Sequence, residues 1–325
     1  MASSATVNET MSPNISTNSP VCHFADDDVL FIFYTVSYTV ALLGNLAFLS
    51  VVIKVKSMRT MPNFFFINLS MADTLFMTYY VLHLMSQRLN IQPLKEIHYK
   101  GGHSITDVAF CVSMLTVALA SLNRYIAICH PFKAERLRLQ SISRIVVSIA
   151  FCWLYGIAVG VFDVLIYTYS SSIQLKLFSI LLILLSVSIV ASICIVLMSY
   201  ILIARRMIVS KPSYIPTTVH IHTSCISEES QVLLLCASIT VVFFISCFPL
   251  ATLYIVTTIT QVLGFVPLPR KKIACLAFVA KLMVPLHFAL NPILYNIGSK
   301  NHRTAFRKVW SPRSAREQSQ VAQDV

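Results

Sequence analysis

The sequence predicts an all-α membrane protein: a bundle of seven transmembrane helices followed by a short amphipathic eighth helix. Of its 325 residues, 56% are hydrophobic and only 12% are charged, which is too apolar for a soluble domain of this size. A bilayer core needs roughly 20 apolar residues per helix, and seven stretches reach that length. They are residues 29–53, 63–87, 102–129, 144–168, 175–204, 231–260 and 273–297.

The positions of the basic residues predict the orientation of this bundle. The net charge is +12, and Lys and Arg concentrate after every odd-numbered helix. By the positive-inside rule those loops lie in the cytoplasm, so the amino terminus lies outside. We therefore expect a multi-pass protein of the plasma membrane, with membrane lipids as neighbours and no nucleic-acid partner. Its parts are an extracellular segment (1–28), a seven-helix domain (29–297), and a cytoplasmic eighth helix with a tail (298–325).

The extracellular segment carries two candidate glycosylation sites, Asn8 in "NET" and Asn14 in "NIS". Cys22 and Cys275 both fall on the predicted outer side, where disulfides persist, and we predict that they pair. The "HIHTSC" segment is interpreted as a loop, so no metal site is expected there.

Polar residues inside the predicted helices are candidates for function, because each carries a solvation cost at membrane depth. The four are Asn45, Asp73, Ser113 and Asn291, which reach similar depths when counted along their helices. They predict a hydrated pocket in which Asp73 binds a sodium ion or a proton. A plain interhelical hydrogen-bond cluster is the alternative. No other cofactor is expected.

Prolines predict bends in the last two membrane helices. Pro249 interrupts the sixth helix, and Pro285 and Pro292 interrupt the seventh. A proline within a helix removes one backbone hydrogen bond and bends the helix.

Arg124 lies at the inner end of the third helix, and two interpretations of it stay open. The arginine could mark the water interface by snorkelling. It could instead pair with Glu229 at the start of the sixth helix and act as a latch. Outward movement of the sixth helix would then free Arg124, and Tyr200 and Tyr295 are the hydroxyls placed to engage it.

Together these segments resemble the rhodopsin-like (class A) G-protein-coupled receptors. The similarity covers all seven helices in order, and the stretch "SKNHRTAFRKVW" is similar to the amphipathic eighth helix, with Phe306 expected to face lipid. The matching motifs are "GN" at 44–45, "NLSMAD" at 68–73, "NRYIAICHPF" at 123–132, Trp153, "FISCFP" at 244–249 and "NPILY" at 291–295.

The resemblance implies a receptor and not an enzyme. It implies an outward ligand pocket and an inner face, including Arg124 and its neighbour Tyr125, that activates heterotrimeric G proteins. Two departures matter: Asn123 stands where the family usually has an acid, and Cys247 stands where it usually has tryptophan. We therefore expect appreciable ligand-free signalling, with Phe243 carrying more of the packing change.

The subfamily expected from the resemblance is that of the melanocortin receptors and their lipid- and nucleoside-sensing relatives. Tyr99 stands in place of the usual cysteine near the top of the third helix, and Ser192 stands about where the fifth helix usually has proline. The stretches "RYIAICHPF" and "MPNFFFINLS" are also similar to odorant receptors.

The ligand is not identified by the sequence; a small molecule, a lipid or a peptide all remain open. Amine receptors place an aspartate where Thr106 stands, with Asp107 one residue on, and Lys281 is expected to attract an anionic ligand or to pair with Asp107. Histidines could make binding pH-sensitive. Candidate pocket residues are His83, His103, Thr106, Asp107, Cys247 and Lys281, with His287 deeper in the bundle.

Other functions remain as alternatives. A transporter or channel would not need "NRY" and "NPILY" at these spacings, and an intramembrane enzyme would need a nucleophile–base or metal set at matched depth. A non-signalling or weakly coupled receptor that acts as a scaffold or dimerisation partner is the stronger alternative, because of Asn123 and Cys247.

Overall fold

The computed structural model describes residues 27–97, 103–136, 141–166, 171–209 and 222–310. This part of the chain is helical throughout, with short connections and a 3₁₀ turn at Lys56–Met58. The helices are α1 (Asp27–Lys54), α2 (Met61–Arg88), α3 (Gln92–Ile97), α4 (His103–Cys129), α5 (Pro131–Arg136), α6 (Ile142–Ile166), α7 (Ser171–Val209), α8 (His222–Leu263), α9 (Arg270–Gly298) and α10 (Lys300–Trp310).

Seven of these helices are long and apolar enough to cross a membrane, which confirms the predicted bundle. They are α1, α2, α4, α6, α7, α8 and α9. Both α7 and α8 extend several residues beyond the predicted 175–204 and 231–260. The prediction followed apolar sequence, whereas backbone hydrogen bonds continue a helix into polar sequence as well. The short helices α3 and α5 lack a long apolar stretch and were not predicted.

The prolines do not break the helices that contain them. Helix α8 continues through Pro249, and α9 continues through Pro285 and Pro292. Each proline removes only one backbone hydrogen bond, and α8 and α9 share the most extensive interface of the bundle. Packing against the neighbouring helix therefore maintains both helices.

Two places in the bundle depend on glycine for close approach. A Cβ on Gly44 of α1 would lie 2.5 Å from Pro292 Cγ in α9, and one on Gly160 of α6 would lie 2.5 Å from Val108 Cγ2 in α4. Small residues allow helix backbones in membranes to approach closely. These contacts fix α1 against α9 and α6 against α4.

We call the end of the bundle that carries Arg124 and α10 the inner end, because the charge pattern predicts that it faces the cytoplasm. Helix α10 packs there against α1, α9 and the 3₁₀ turn. Phe306 is half-buried and packs on the core cluster, so the expectation that it faces lipid was wrong. The buried His302 and Ala305 share that inward face, and Trp310, 57% exposed, is the outward aromatic.

Candidate functional site

A polar cluster lies at the centre of the bundle and is built on Asp73. This carboxylate, fully buried in α2, accepts hydrogen bonds from Ser113 Oγ of α4 (2.9 Å) and from Asn291 Nδ2 of α9 (2.8 Å). The predicted convergence of these three residues is confirmed. It connects α2, α4 and α9 at one depth, where a buried polar group needs such partners.

Asn45 is fully buried at α1 but does not bond to Asp73. Its Nδ2 donates to the carbonyl of Ala41 in its own helix at 3.0 Å. No described residue donates a hydrogen bond to the Oδ1 atoms of Asn45 and Asn291. Three of the four polar residues are therefore joined directly by hydrogen bonds, and the binding of a sodium ion or a proton by Asp73 stays a prediction.

His287 extends this cluster toward α8. Its Nε2 lies 3.5 Å from Asn291 Nδ2, and its ring packs edge-on against Phe243 at 5.3 Å. Phe243 is one of the predicted switch residues, and Cys247, one turn further along α8, is buried in the same core cluster. The central polar cluster thus contacts the packed face of α8 through an imidazole.

Arg124 lies at the inner end of α4 and is half-buried. Its guanidinium lies near the Cys236 thiol of α8, close enough to interact with it electrostatically. Glu229 lies seven residues earlier in α8, about two turns along the same helix face, but its side chain is outside the described residues. The predicted Arg124–Glu229 pair stays a prediction, and Cys236 is a partner that sequence reasoning missed.

The other contacts around Arg124 are weak or local. Thr240 Oγ1 of α8 donates to the Tyr200 hydroxyl of α7 at a long 3.4 Å. Tyr125 bonds through its hydroxyl to His130 Nε2 at 3.0 Å, within the last turns of α4. Asn123 is half-buried beside them. A small cavity with room for about one water molecule lies next to Tyr200, Cys236 and Thr240.

Tyr295 of α9 is fully buried in the inner core and stacks near Phe48 and Phe66, with ring centroids at 4.6 and 5.4 Å. In this arrangement Tyr295 is held in the core and does not reach Arg124. Its predicted engagement with the arginine would need α9 to move.

The outer half of the bundle contains a second acid that sequence reasoning missed. Asp163 of α6 is 5% exposed and accepts a hydrogen bond from Ser104 Oγ of α4 at 2.8 Å. Asp107 of α4 lies near enough to Asp163 to interact with it electrostatically, and both carboxyl groups interact in the same way with Tyr254 of α8. The signal was available, because Asp163 is the one acidic residue in the largely apolar α6, and ionisable residues in membrane helices are functional candidates by default.

Other predicted pocket residues are spread over this outer half. Thr106 and His83 are half-buried, and Lys281 is exposed. No ion pair joins Lys281 to Asp107, so that predicted pair is not formed. The side chain of His103 and the residues Asn8, Asn14 and Cys22 lie outside the described part. Cys275 is disulfide-bonded, as the predicted pair requires, and its pairing with Cys22 stays a prediction.

Two further polar networks join helices without having been predicted. Asn68 of α2 donates to Thr116 Oγ1 of α4 (2.7 Å) and accepts from Trp153 Nε1 of α6 (2.8 Å). At the inner end, His302 of α10 contacts Asn63 of α2 and the carbonyl of Tyr295. Both networks pair residues far apart in sequence, so a single sequence contains no spacing that reveals them.

The inner end also presents one strongly exposed aromatic residue. Phe132, in the short helix α5 that follows α4, is 86% exposed. Single exposed apolar residues are common on protein surfaces, and in a membrane protein many face lipid. Phe132 is distinct because it lies eight residues after Arg124, beside the basic residues of the inner end.

The fold and the central cluster define a protein with seven membrane-spanning helices and a polar cluster at its centre. Comparison with known proteins leads to the same class. The sequence matches the family described as "7 transmembrane receptor (rhodopsin family)" over residues 44–295. Because this match covers most of the chain, the protein belongs to that family, a family of receptors.

Individual relatives are more distant. The chain is similar to somatostatin receptor type 1 of Mus musculus and of Canis lupus familiaris, 28% identical over 134 residues in each case. It is 29% identical over 113 residues to the same receptor of Rattus norvegicus. These matches cover 41% and 35% of this chain and about a third of the relatives. The expected likeness to melanocortin receptors receives no support from them.

Proposed function

We propose that this protein is a plasma-membrane receptor whose amino terminus is extracellular and whose inner end activates heterotrimeric G proteins. An extracellular ligand, or the receptor alone at a basal level, moves the inner end of α8 away from α4. This movement separates Arg124 from Cys236 and exposes the guanidinium to the G protein. Phe132 and the basic residues of the inner end supply apolar and electrostatic contacts beside it.

One observation carries the proposal: among the described residues, the half-buried Arg124 lies beside the Cys236 thiol of α8 and forms no ion pair. A cation at such a position is costly unless it is paired. A thiol is a weak hydrogen-bond acceptor, so the contact between α4 and α8 is easily broken. Family membership supports a signalling role for this protein, since the family consists of receptors.

The test is ligand-free nucleotide exchange by a panel of purified heterotrimeric G proteins, with the receptor in lipid nanodiscs. Arg124→Ala should abolish exchange catalysed by the receptor. Arg88→Ala is the matched control, because it removes an arginine that pairs with Asp28 at the outer end of α2, and it should leave exchange unchanged. Equal exchange by the parent and by Arg124→Ala would contradict the proposal.

Sodium binding at the central cluster belongs to this proposal as an allosteric element. Oxygen atoms are the ligands that hard cations prefer, and Asp73, Ser113 and the amide oxygens of Asn45 and Asn291 are available there. A single carboxylate fits a monovalent ion better than a divalent one. When bound, the ion would supply a positive charge next to Asp73 that holds the helices in the resting arrangement.

The outer acids suggest the chemistry of the ligand. Asp107 and Asp163 lie together between α4 and α6, and Tyr254 of α8 adjoins them. Two neighbouring carboxylates favour a ligand that carries a positive charge. Asp163→Asn and Asp107→Asn should each weaken the response to cationic agonists in a ligand screen, whereas Lys281→Ala should not.

A weakly coupled receptor that acts as a scaffold or dimerisation partner is the second candidate. Its support is Cys247, a small residue that is 5% exposed within the core next to Phe243, where a large ring would transmit more movement. This candidate predicts no exchange by any G protein in the panel, together with retained surface expression. An odorant-type chemosensory receptor would differ only in its ligand.

A further inference from the structure

His302, in α10, lies in an aromatic enclosure at the inner end. The residue is 5% exposed, and its ring centroid lies 5.7 Å from that of Phe48, 6.2 Å from that of Phe66 and 6.4 Å from that of Tyr295. His302 lies in the stretch "SKNHRTAFRKVW", but no role was predicted for it from the sequence and the predicted switch set does not contain it. An imidazole in such a place must find partners for its polar atoms.

The first partner is the end of α9. Tyr295 belongs to the last four residues of that helix, whose carbonyls lack a partner within the helix. His302 Nδ1 lies 3.0 Å from the Tyr295 carbonyl oxygen, which can only accept. A protonated Nδ1 therefore acts as a side-chain cap for α9.

The second partner is the beginning of α2. His302 Nε2 lies 3.1 Å from Asn63 Oδ1. The orientation of this amide is set by its other end, because Asn63 Nδ2 donates to the Met58 carbonyl at 2.7 Å. Asn63 therefore presents an acceptor to the ring, and Nε2 also needs a proton to make its bond.

Three acceptors thus meet at this junction: the carbonyls of Met58 and Tyr295 and the amide oxygen of Asn63. A neutral imidazole has one N–H, so with the Asn63 amide it supplies only two donors. An imidazolium would supply the third donor. The junction is satisfied completely by the charged ring and incompletely by the neutral ring.

The surroundings favour the neutral ring. Burial lowers the pKa of His302 to about 4, although its bond to the Tyr295 carbonyl opposes this shift. Residues 44–72 and 282–310, which form this junction, contain no acidic residue. The charged or titratable groups in these two ranges, besides His302 itself, are Lys54, Lys56, Arg59, His287, Tyr295, Lys300, Arg303, Arg307 and Lys308.

We propose that His302 is a positioning residue for Tyr295. Its neutral ring carries one N–H proton, which either bonds to the Tyr295 carbonyl and holds the inner end of α9 or bonds to Asn63 of α2. With the proton on Nδ1, the cap on Tyr295 is made and α9 is docked. When α9 moves, Nδ1 returns its proton to water, Nε2 takes one from water, and the ring bonds to Asn63. The inference rests on the proposed signalling role of Tyr295, and its test includes a measurement that needs no signalling.

Two substitutions separate this role from simple packing. His302→Phe preserves the ring against Phe48 and Phe66 but removes the cap. Asn63→Asp places a carboxylate at Nε2, which stabilises the imidazolium so that both nitrogens donate and α9 stays docked. The double variant, Asn63→Asp with His302→Phe, is the control that retains the carboxylate without the imidazole.

The first readout is ligand-free nucleotide exchange between pH 6.0 and pH 8.0, expressed relative to the parent at each pH. His302→Phe should raise exchange about five-fold at every pH, the effect of one lost hydrogen bond of about 1 kcal/mol. Asn63→Asp also removes the amide that donates to the Met58 carbonyl, so its pH dependence is the diagnostic feature: its exchange should be about five-fold lower at pH 6.0 than at pH 8.0. The double variant should lose this pH dependence.

The second readout is the melting temperature of the purified receptor without G protein. Asn63→Asp should melt at a higher temperature at pH 6.0 than at pH 8.0, whereas the double variant should not. If the receptor drives no exchange but this melting shift occurs, the contact of His302 with residue 63 exists and the proposed function fails. Absence of the melting shift, or exchange by His302→Phe at the parental rate in a receptor that signals, would overturn the proposal.

Discussion

The central polar cluster and the inner end of the bundle are held together in different ways. Around Asp73, every contact is short and the atoms are fully buried, so α2, α4 and α9 are joined firmly. Around Arg124, the described contacts between helices are the nearby Cys236 thiol and a 3.4 Å hydrogen bond from Thr240 to Tyr200, and Arg124 and Tyr200 are only half-buried. The difference indicates a fixed centre about which a weakly held inner end can move.

Loss of the central carboxylate should have the largest effect. Asp73→Ala removes two buried hydrogen bonds and leaves the donors of Ser113 and Asn291 unpaired, which should cost about 3 kcal/mol. Thermal melting of the purified receptor measures this. Asp28→Ala, at the exposed outer end of α1, is the control and should melt like the parent.

Crowding the centre should be nearly as damaging. A methyl group on Gly44 would press on the rigid ring of Pro292 at 2.5 Å, so Gly44→Ala should destabilise the fold by about 2 kcal/mol. Leu43→Ala, at the neighbouring position that is 62% exposed, serves as the comparison. Equal melting temperatures for the two variants would show that α1 is not held to α9 at this depth.

Acid should destabilise the parent fold through His302, because the cost of burying a charged imidazole exceeds the gain from the additional hydrogen bond that it donates. Because burial lowers its pKa to about 4, below the unfolded value of about 6.5, the stability due to the neutral ring is fully present above pH 6.5. It should be lost as the pH falls from 6.5 toward 4, by about 2 kcal/mol at pH 5. Comparison of pH-dependent melting in the parent and His302→Phe isolates this contribution, which the variant should lack.

Placing an acidic residue beside Arg124 should slightly stabilise the resting arrangement of the inner end. Asn123→Asp offers the guanidinium a carboxylate on its own helix, worth about 1 kcal/mol or less for a partly exposed pair. Ligand-free nucleotide exchange should therefore fall by up to about five-fold. Exchange that is unchanged or higher would mean that the resting arrangement does not depend on pairing of Arg124.

The smallest effect is expected from the contacts of α8 themselves. Cys236→Ala and Thr240→Val each remove one weak contact, so ligand-free exchange should rise about two-fold while the melting temperature stays near that of the parent. Thr252→Val, which removes a hydroxyl that bonds only within α8, is the matched control. A large loss of stability in Cys236→Ala would show that the inner end is as firmly held as the centre.

The same contrast explains how much of the molecule could be predicted from its sequence. Helix number and order follow from apolar length, and the meeting of Asp73, Ser113 and Asn291 follows from their depth along each helix. Cys236 and His302 were missed because their partners depend on how each helix is rotated about its axis, which depth alone does not determine. Asp163 could have been found, since a carboxylate in an apolar helix is informative by itself.

The orientation of Phe306 and the course of α8 illustrate the same limit. An amphipathic pattern predicts that α10 has an apolar face, but not that Phe306 would pack on the core while Trp310 points outward. Likewise, Pro249 predicts a lost hydrogen bond, but the packing of α8 on α9 decides that the helix continues.

Movement of α8 relative to the rest of the inner end is the most direct measurement. Spin labels at two exposed positions, Leu234 in α8 (64% exposed) and Ile53 in α1 (70% exposed), report this distance by electron paramagnetic resonance. The exposed Cys194 and the half-exposed Cys129 are first replaced so that labelling is specific. Nucleotide-free G protein should lengthen the distance by several ångströms, and Arg124→Ala should prevent it. A distance that stays constant while the receptor drives nucleotide exchange would contradict the mechanism.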